Sequence, residues 1–124
     1  MPNFDSLGEV IVYVEEMDRM YSFYTEAFGL DVVAGAPEHG FVKLDAGGVE
    51  LALHGGREGN EDELGRYAPK LVFDVADLAA AREHLRAHDV ELGEVRNPAP
   101  ETYVVDGRDP EGNTFSIEAS APPE

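Results

Sequence analysis

The chain has no cysteine among its 124 residues, which excludes disulfides, thiolate metal sites and a cysteine nucleophile. It has no apolar run near the ~20 residues that a membrane-spanning helix needs. The opening Met1-Pro2-Asn3-Phe4-Asp5 lacks the basic and apolar regions of a secretory signal, so a soluble, cytoplasmic protein is expected. Positive charge is scarce as well. Nine Lys and Arg stand against 26 Asp and Glu, for a formal net charge of -17, and only Lys43 and Lys70 are lysines. That balance argues against nucleic acid as a partner. It suits a salt-rich cytoplasm, because the Debye length falls from about 10 Å at 0.1 M salt to about 3 Å at 1 M and the self-repulsion is screened. An acidic protein of an ordinary cytoplasm is the alternative.

What is present is enough apolar residue, 43%, for the core of one domain spanning residues 1–124, and a sequence that repeats itself. Val10-Ile11-Val12-Tyr13-Val14 and a helix from about Met17 to Phe28 are echoed by Leu71-Val72-Phe73-Asp74-Val75 and a helix from about Leu78 to His88. Val14 matches Val75, Met17 matches Leu78 and Tyr24 matches Leu85 at a constant offset of 61. Each half continues into strands. In the first, Asp31–Ala36, Phe41–Asp45 and Val49–His54 are expected, with turns at Pro37-Glu38-His39-Gly40 and Ala46-Gly47-Gly48. In the second, the expected strands are about Lys70–Val75, Val90–Arg96, Thr102–Asp106 and Thr114–Ala119. The order is therefore βαβββ twice, an α+β fold with module one at about 7–55, a linker at 56–69 and module two at about 70–119. Neither module can bury its own sheet face, so two copies imply a central cleft shared between them.

Helix signals agree with this order. Met17, Met20, Tyr21, Tyr24 and Phe28 have the spacing of one buried face, Gly29 stands where a left-handed cap ends the helix, and Asp77 is placed to cap the second. Strand alternation sorts the remaining side chains. Val10, Val12 and Val14 face the helix, leaving Glu9, Ile11 and Tyr13 for the cleft; Val49, Leu51 and Leu53 leave Glu50, Ala52 and His54. In module two Lys70, Val72 and Asp74, then Thr114, Ser116 and Glu118, take the cleft side. The candidate ligand-binding residues are thus Glu9, Tyr13, Glu50, His54, Lys70, Asp74, Ser116 and Glu118, a polar and mostly acidic set.

Other chemistry finds little support. His84 and His88 have a metal-compatible i, i+4 spacing but no third ligand, and His39 falls in a turn. Ser116 has no histidine at its strand level for a hydrolase triad. Gly47-Gly48 closes a hairpin and is not followed by a helix N-terminus that could take a phosphate.

Phe23-Tyr24 in the first helix, Phe28-Gly29-Leu30 at its end, Gly47-Gly48-Val49-Glu50-Leu51 and Asp109-Pro110-Glu111-Gly112-Asn113 occur in order on the duplicated frame. In this the chain, over roughly residues 7–119, resembles the vicinal oxygen chelate superfamily of glyoxalase I, bleomycin-resistance proteins and extradiol dioxygenases. The resemblance implies two half-sheets around a ligand cleft, often completed by a partner subunit, and hence a homodimer. In catalytic members it implies up to four metal ligands, which fall here on Glu9, Glu50, Lys70 and Ser116. Only Glu50 matches the family's histidine and glutamate pattern, which leaves Glu50 as the catalytic candidate and Glu9 with Glu50 as weak ligands for a hard divalent ion. Lys70 is expected between Glu9 and Glu50, as a substitute for the ion or an anchor for an anionic ligand group; a solvated strand-end lysine is the alternative. The function expected is small-molecule binding, with a cationic or hydrogen-bond-rich ligand and no tight catalytic metal. A metal-dependent lyase, isomerase or dioxygenase with an atypical ligand set is the alternative, and an interaction module with a vestigial cleft the third.

Overall fold

Alternating apolar residues build two sheets, one in each of the compact units into which the chain divides, Met1–Ala68 and Pro69–Glu124. The structure, a computed structural model, describes residues 6–56 and 69–123. Most of the expected linker lies outside the described residues.

The first unit runs β1 (Glu9–Val14), α1 (Met17–Ser22), β2 (Asp31–Ala36), β3 (Phe41–Asp45) and β4 (Glu50–Gly55). Its four strands are ordered β1-β4-β3-β2, with β1 parallel to β4 and the other pairs antiparallel. Val12, Val14, Val42, Leu44, Leu51 and Leu53 are buried on the sheet, with Met20 and Tyr24 from the helical segment. Each such side chain contributes about 1.5–3 kcal/mol relative to exposure.

The expected single helix is two. After Ser22 the chain widens into a π-helical turn over Phe23–Ala27. The Thr25 hydroxyl donates to the Tyr21 carbonyl at 2.7 Å, and Phe23, Tyr24 and Phe28 pack with ring centroids 4.9–5.5 Å apart. The extra residue in that turn lets neighbouring aromatics share one cluster, and it shifts burial from Phe28 to Ala27. Gly29 takes the left-handed conformation of a terminating cap, φ 68°, as its position leads one to expect.

The second unit runs β5 (Leu71–Asp74), α2 (Leu78–Ala87), β6 (Arg96–Ala99), β7 (Thr102–Arg108) and β8 (Thr114–Ala119), in the order β5-β8-β7-β6. Again the first and closing strands are parallel. The Asp77 side chain caps α2 by accepting from the Ala80 N–H at 3.0 Å. Leu78 and Leu85 are buried with Val105, Phe115 and Ile117.

The strand expected at Val90–Arg96 is displaced. Only Leu92 makes an isolated bridge, to Gly107, and the strand proper spans Arg96–Ala99, pairing with β7 at Arg96 and Ala99 with a register shift between them, where Pro98 lies. Proline is tolerated there because β6 is an edge strand and loses no ladder bond on its outer side.

Asp109-Pro110-Glu111-Gly112-Asn113 explains itself structurally. The Asp109 carboxylate, 5% exposed, accepts from the Glu111 and Asn113 N–H groups and from Asn113 Nδ2 at 2.9–3.0 Å. The motif thus closes the β7–β8 hairpin by satisfying its own backbone. The result is an α+β fold of two βαβββ units, each a four-stranded mixed sheet carrying a helix.

Candidate functional site

Opposite the helical side, the first sheet presents three rows of side chains fixed by strand register. Glu9, Glu50 and Asp45 form one row, Ile11, Ala52 and Lys43 the next, and Tyr13, His54 and Phe41 the third. The third row is aromatic. The His54 ring lies 5.2 Å from that of Tyr13 and 5.8 Å from that of Phe41, in tilted and edge-on contacts. His54 Nδ1 is 2.6 Å from the Gly55 carbonyl oxygen. A carbonyl can only accept, so Nδ1 is the donor of this hydrogen bond.

The middle row supplies the charge that binds the acidic row together. Ala52 offers only a methyl on β4, so the Lys43 stem can cross that strand and reach both neighbours. Its ammonium is 3.1 Å from Glu9 Oε1 and 3.7 Å from Glu50 Oε1. The hydrogen bond and attraction of Glu9, with a smaller contribution from Glu50, raise the Lys43 pKa above its ordinary value. Lys43 therefore stays charged across the neutral range. It is a counter-ion here, not a nucleophilic amine, which would need a lowered pKa.

In the second unit the polarity is exchanged. Ser116 is 1% exposed, more enclosed than a cleft-lining position implies, and its hydroxyl donates to Asp106 Oδ1 at 2.6 Å. Asp106 also pairs with Lys70 Nζ at 3.3 Å and Arg96 Nη2 at 3.0 Å. The Ser116 hydrogen bond is the largest cause that lowers the Asp106 pKa, ahead of Lys70 and Arg96, while partial burial opposes it. Asp74 and Glu118 are register partners on the same side of this sheet and leave it acidic at that end.

The structure thus brings Glu9 with Glu50, Tyr13 with His54, Lys70 and Ser116 with Asp106, and Asp74 with Glu118. It corrects the assignment of Lys70. The cation between Glu9 and Glu50 is Lys43, on the same sheet, whereas Lys70 is held by Asp106. Three residues were missed: Lys43, Phe41 and Asp106. For Phe41 and Lys43 the signal was available, because Val42 and Leu44 face the core and alternation then sends Phe41 and Lys43 to the side of Glu50 and His54.

A family model for the Glyoxalase/Bleomycin resistance protein/Dioxygenase superfamily matches residues 6–117. The chain belongs to that superfamily. Among curated proteins it is similar to the uncharacterized protein YetH of Bacillus subtilis (strain 168), 29% identical over 119 residues that cover 90% of this chain and 95% of YetH. Among solved structures, the fold is shared with lactoylglutathione lyase from Agrobacterium tumefaciens (TM-score 0.74, 21% identity, 94% of each chain). It is shared also with TnmS3, an antibiotic binding protein from Streptomyces sp. CB03234 (TM-score 0.74, 19% identity, 93% of this chain and 95% of TnmS3).

Glu9, Glu50, Lys70 and Ser116, the positions at which the resemblance places metal ligands, supply two carboxylates, an ammonium and a hydroxyl, which are poor donors for a divalent ion in either unit. An ammonium already sits between the two carboxylates, Lys70 is a cation paired to Asp106, and the Ser116 hydroxyl is committed to the same carboxylate. Among the described residues no three His, Cys, Asp or Glu side chains converge to hold a metal ion.

Proposed function

We propose that the protein binds a small molecule on the polar sides of its sheets without a tightly held catalytic metal. The observation that carries this reading is the Lys43 ammonium between Glu9 and Glu50, which supplies positive charge between the two carboxylates that would otherwise be free to take a metal ion. The antibiotic-binding function of TnmS3, which shares the fold, supports it by analogy. The ligand carries positive charge or many hydrogen-bond donors. On the first sheet Glu9, Glu50 and Asp45 put three carboxylates in one row beside the single ammonium that pairs with the first two, and Asp74 and Glu118 add negative charge on the second. Tyr13, Phe41 and the His54 ring provide surface for a flat group to stack on.

The test is a melting-temperature screen of cationic aromatic compounds in buffer containing a chelator. Support is a compound that raises the melting temperature there and loses its effect with Tyr13→Ala. A screen in which stabilisation appears only when a divalent metal is supplied rejects the reading. The alternative, a metal-dependent lyase, isomerase or dioxygenase, keeps the retained Glu50 in its favour and requires an ion to displace Lys43.

A further inference from the structure

Positive charge collects at one place on the second sheet. Asp106 Oδ2 accepts from Arg96 Nη2 at 3.0 Å, while Oδ1 lies 3.3 Å from Lys70 Nζ and accepts from the Ser116 hydroxyl at 2.6 Å. Among the described ion pairs Asp106 alone is shared by two cations, in a chain with nine Lys and Arg against 26 Asp and Glu. One positive charge is left over. Exposed ion pairs add little stability, so a second cation on a carboxylate that already holds one, and a buried hydroxyl besides, has little structural value. A guanidinium has five N–H donors and an ammonium three, and each uses one on Asp106. The side chains of Arg96 and Lys70 are 51% and 46% exposed, which leaves their other donors within reach of a ligand.

The same side of the sheet changes sign along β5. Lys70 stands just before the strand, Val72 follows at 53% exposed, and Asp74 is the register partner of Glu118. Among the described residues no cation pairs with Asp74 or Glu118. Residues two apart on a strand are separated by about 7 Å, so the Asp74–Glu118 row lies about that far from the row of Val72, Ser116 and Asp106, where the cations gather. We infer that Lys70 and Arg96 form an oxyanion subsite and that the ligand is a zwitterion, its carboxylate or phosphate held there and its cationic group about 7 Å away at Asp74 and Glu118. The exposed Val72 packs the carbons between the two groups. This rests on the reading above that a cation-bearing small molecule binds on the polar sides of the sheets. Asp106 displays the chemistry that the two cations accept, an oxyanion with an oxygen for each, and it competes with the ligand for them.

The experiment is a calorimetric titration of the full chain with ε-aminocaproate, with hexylamine and caproate as probes that carry one charge each. The zwitterion should bind about fivefold or more tightly than either control, the scale of one exposed ion pair. Aminohexyl phosphate replaces the carboxylate by a phosphate, and the tighter of the two zwitterions names the oxyanion. Lys70→Gln or Arg96→Gln leaves Asp106 with a single cation and cancels the excess charge, so either should reduce ε-aminocaproate to the level of hexylamine. Asp106→Asn keeps an oxygen for the Ser116 hydroxyl and removes the competing charge. It should tighten ε-aminocaproate by a similar factor without tightening hexylamine, the opposite of what loss of a merely structural ion pair would do. The inference is overturned if ε-aminocaproate binds no better than hexylamine, if its advantage survives both glutamine variants, or if an Asp106→Asn protein that melts cooperatively gains no affinity for it. Hexylamine that binds without any advantage for the zwitterions overturns the subsite alone; absence of binding by every amine probe overturns the cation-binding reading with it.

Discussion

Replacing Ser116 by alanine should destabilise the fold near neutral pH and lose most of that effect in acid. The hydroxyl is 1% exposed and donates at 2.6 Å to Asp106, so Ser116→Ala deletes a charge-assisted bond and leaves the carboxylate one donor short. Hydrogen bonds to charged groups are worth about 1.5–3 kcal/mol when well enclosed. The Asp106 side chain is 37% exposed and retains Lys70 and Arg96, so solvent screening and those partners reduce the expected cost to about 1–2 kcal/mol. Asp106 has a folded-state pKa below its usual 3.8, with the Ser116 bond as the largest cause. A depressed acid contributes stability that is fully present above its unfolded pKa and is lost as pH falls through its folded pKa. The difference between parent and Ser116→Ala should therefore be constant from neutrality down to about pH 5 and should shrink below about pH 4. Urea unfolding of both proteins across that range, at fixed high salt, measures it. Equal midpoints near neutral pH, or a difference that stays constant into acid, would show that the bond has no such role.

Asp89 occupies the left-handed residue just past α2, φ 62°, where it also places negative charge at the negative end of the helix; Asp89→Gly should stabilise by about 1 kcal/mol in thermal or urea melts. A Cβ on Gly107 would lie 2.5 Å from the ring of Phe115, itself 1% exposed, so Gly107→Ala should cost about 1–3 kcal/mol through overpacking, read as a lower urea midpoint. With a net charge of -17, the parent's melting temperature should climb steeply as KCl is raised over the range that shortens the Debye length from about 10 to about 3 Å; a flat response rejects the salt-adaptation reading. Light scattering at high salt should return about twice the 13.5 kDa chain mass if a second copy covers the exposed edge strands, and a monomer at working concentration rejects the dimer.

The frame was legible because it rests on local periodicity. Phe41–Asp45 and Thr114–Ala119 have the bounds that alternation implies, and Asp77 and Gly29 cap their helices as their residue types suggest. What depends on pairing across strands was less visible. Lys43 reaches Glu9 across β4 and past Ala52, a contact set by register and by the smallness of an intervening residue, so no spacing along the chain encodes it. Lys70 drew the assignment in its place because alternation extended β5 by one residue to include it, yet it stands just before that strand and its partner Asp106 lies on β7. The π-helical turn at Phe23–Ala27 and the late start of β6 follow from tertiary packing of adjacent aromatics and from an edge position that admits Pro98, neither of which a helical or alternating pattern reports.

Elemental analysis of the protein purified without chelator, with Glu50→Gln prepared alongside, decides whether the first sheet holds a metal ion. Far less than one equivalent of any divalent metal per chain is expected, with no difference between parent and Glu50→Gln. One equivalent of zinc, nickel, manganese or iron in the parent, lost in Glu50→Gln, would contradict it and identify the protein as a metal-dependent member of its superfamily.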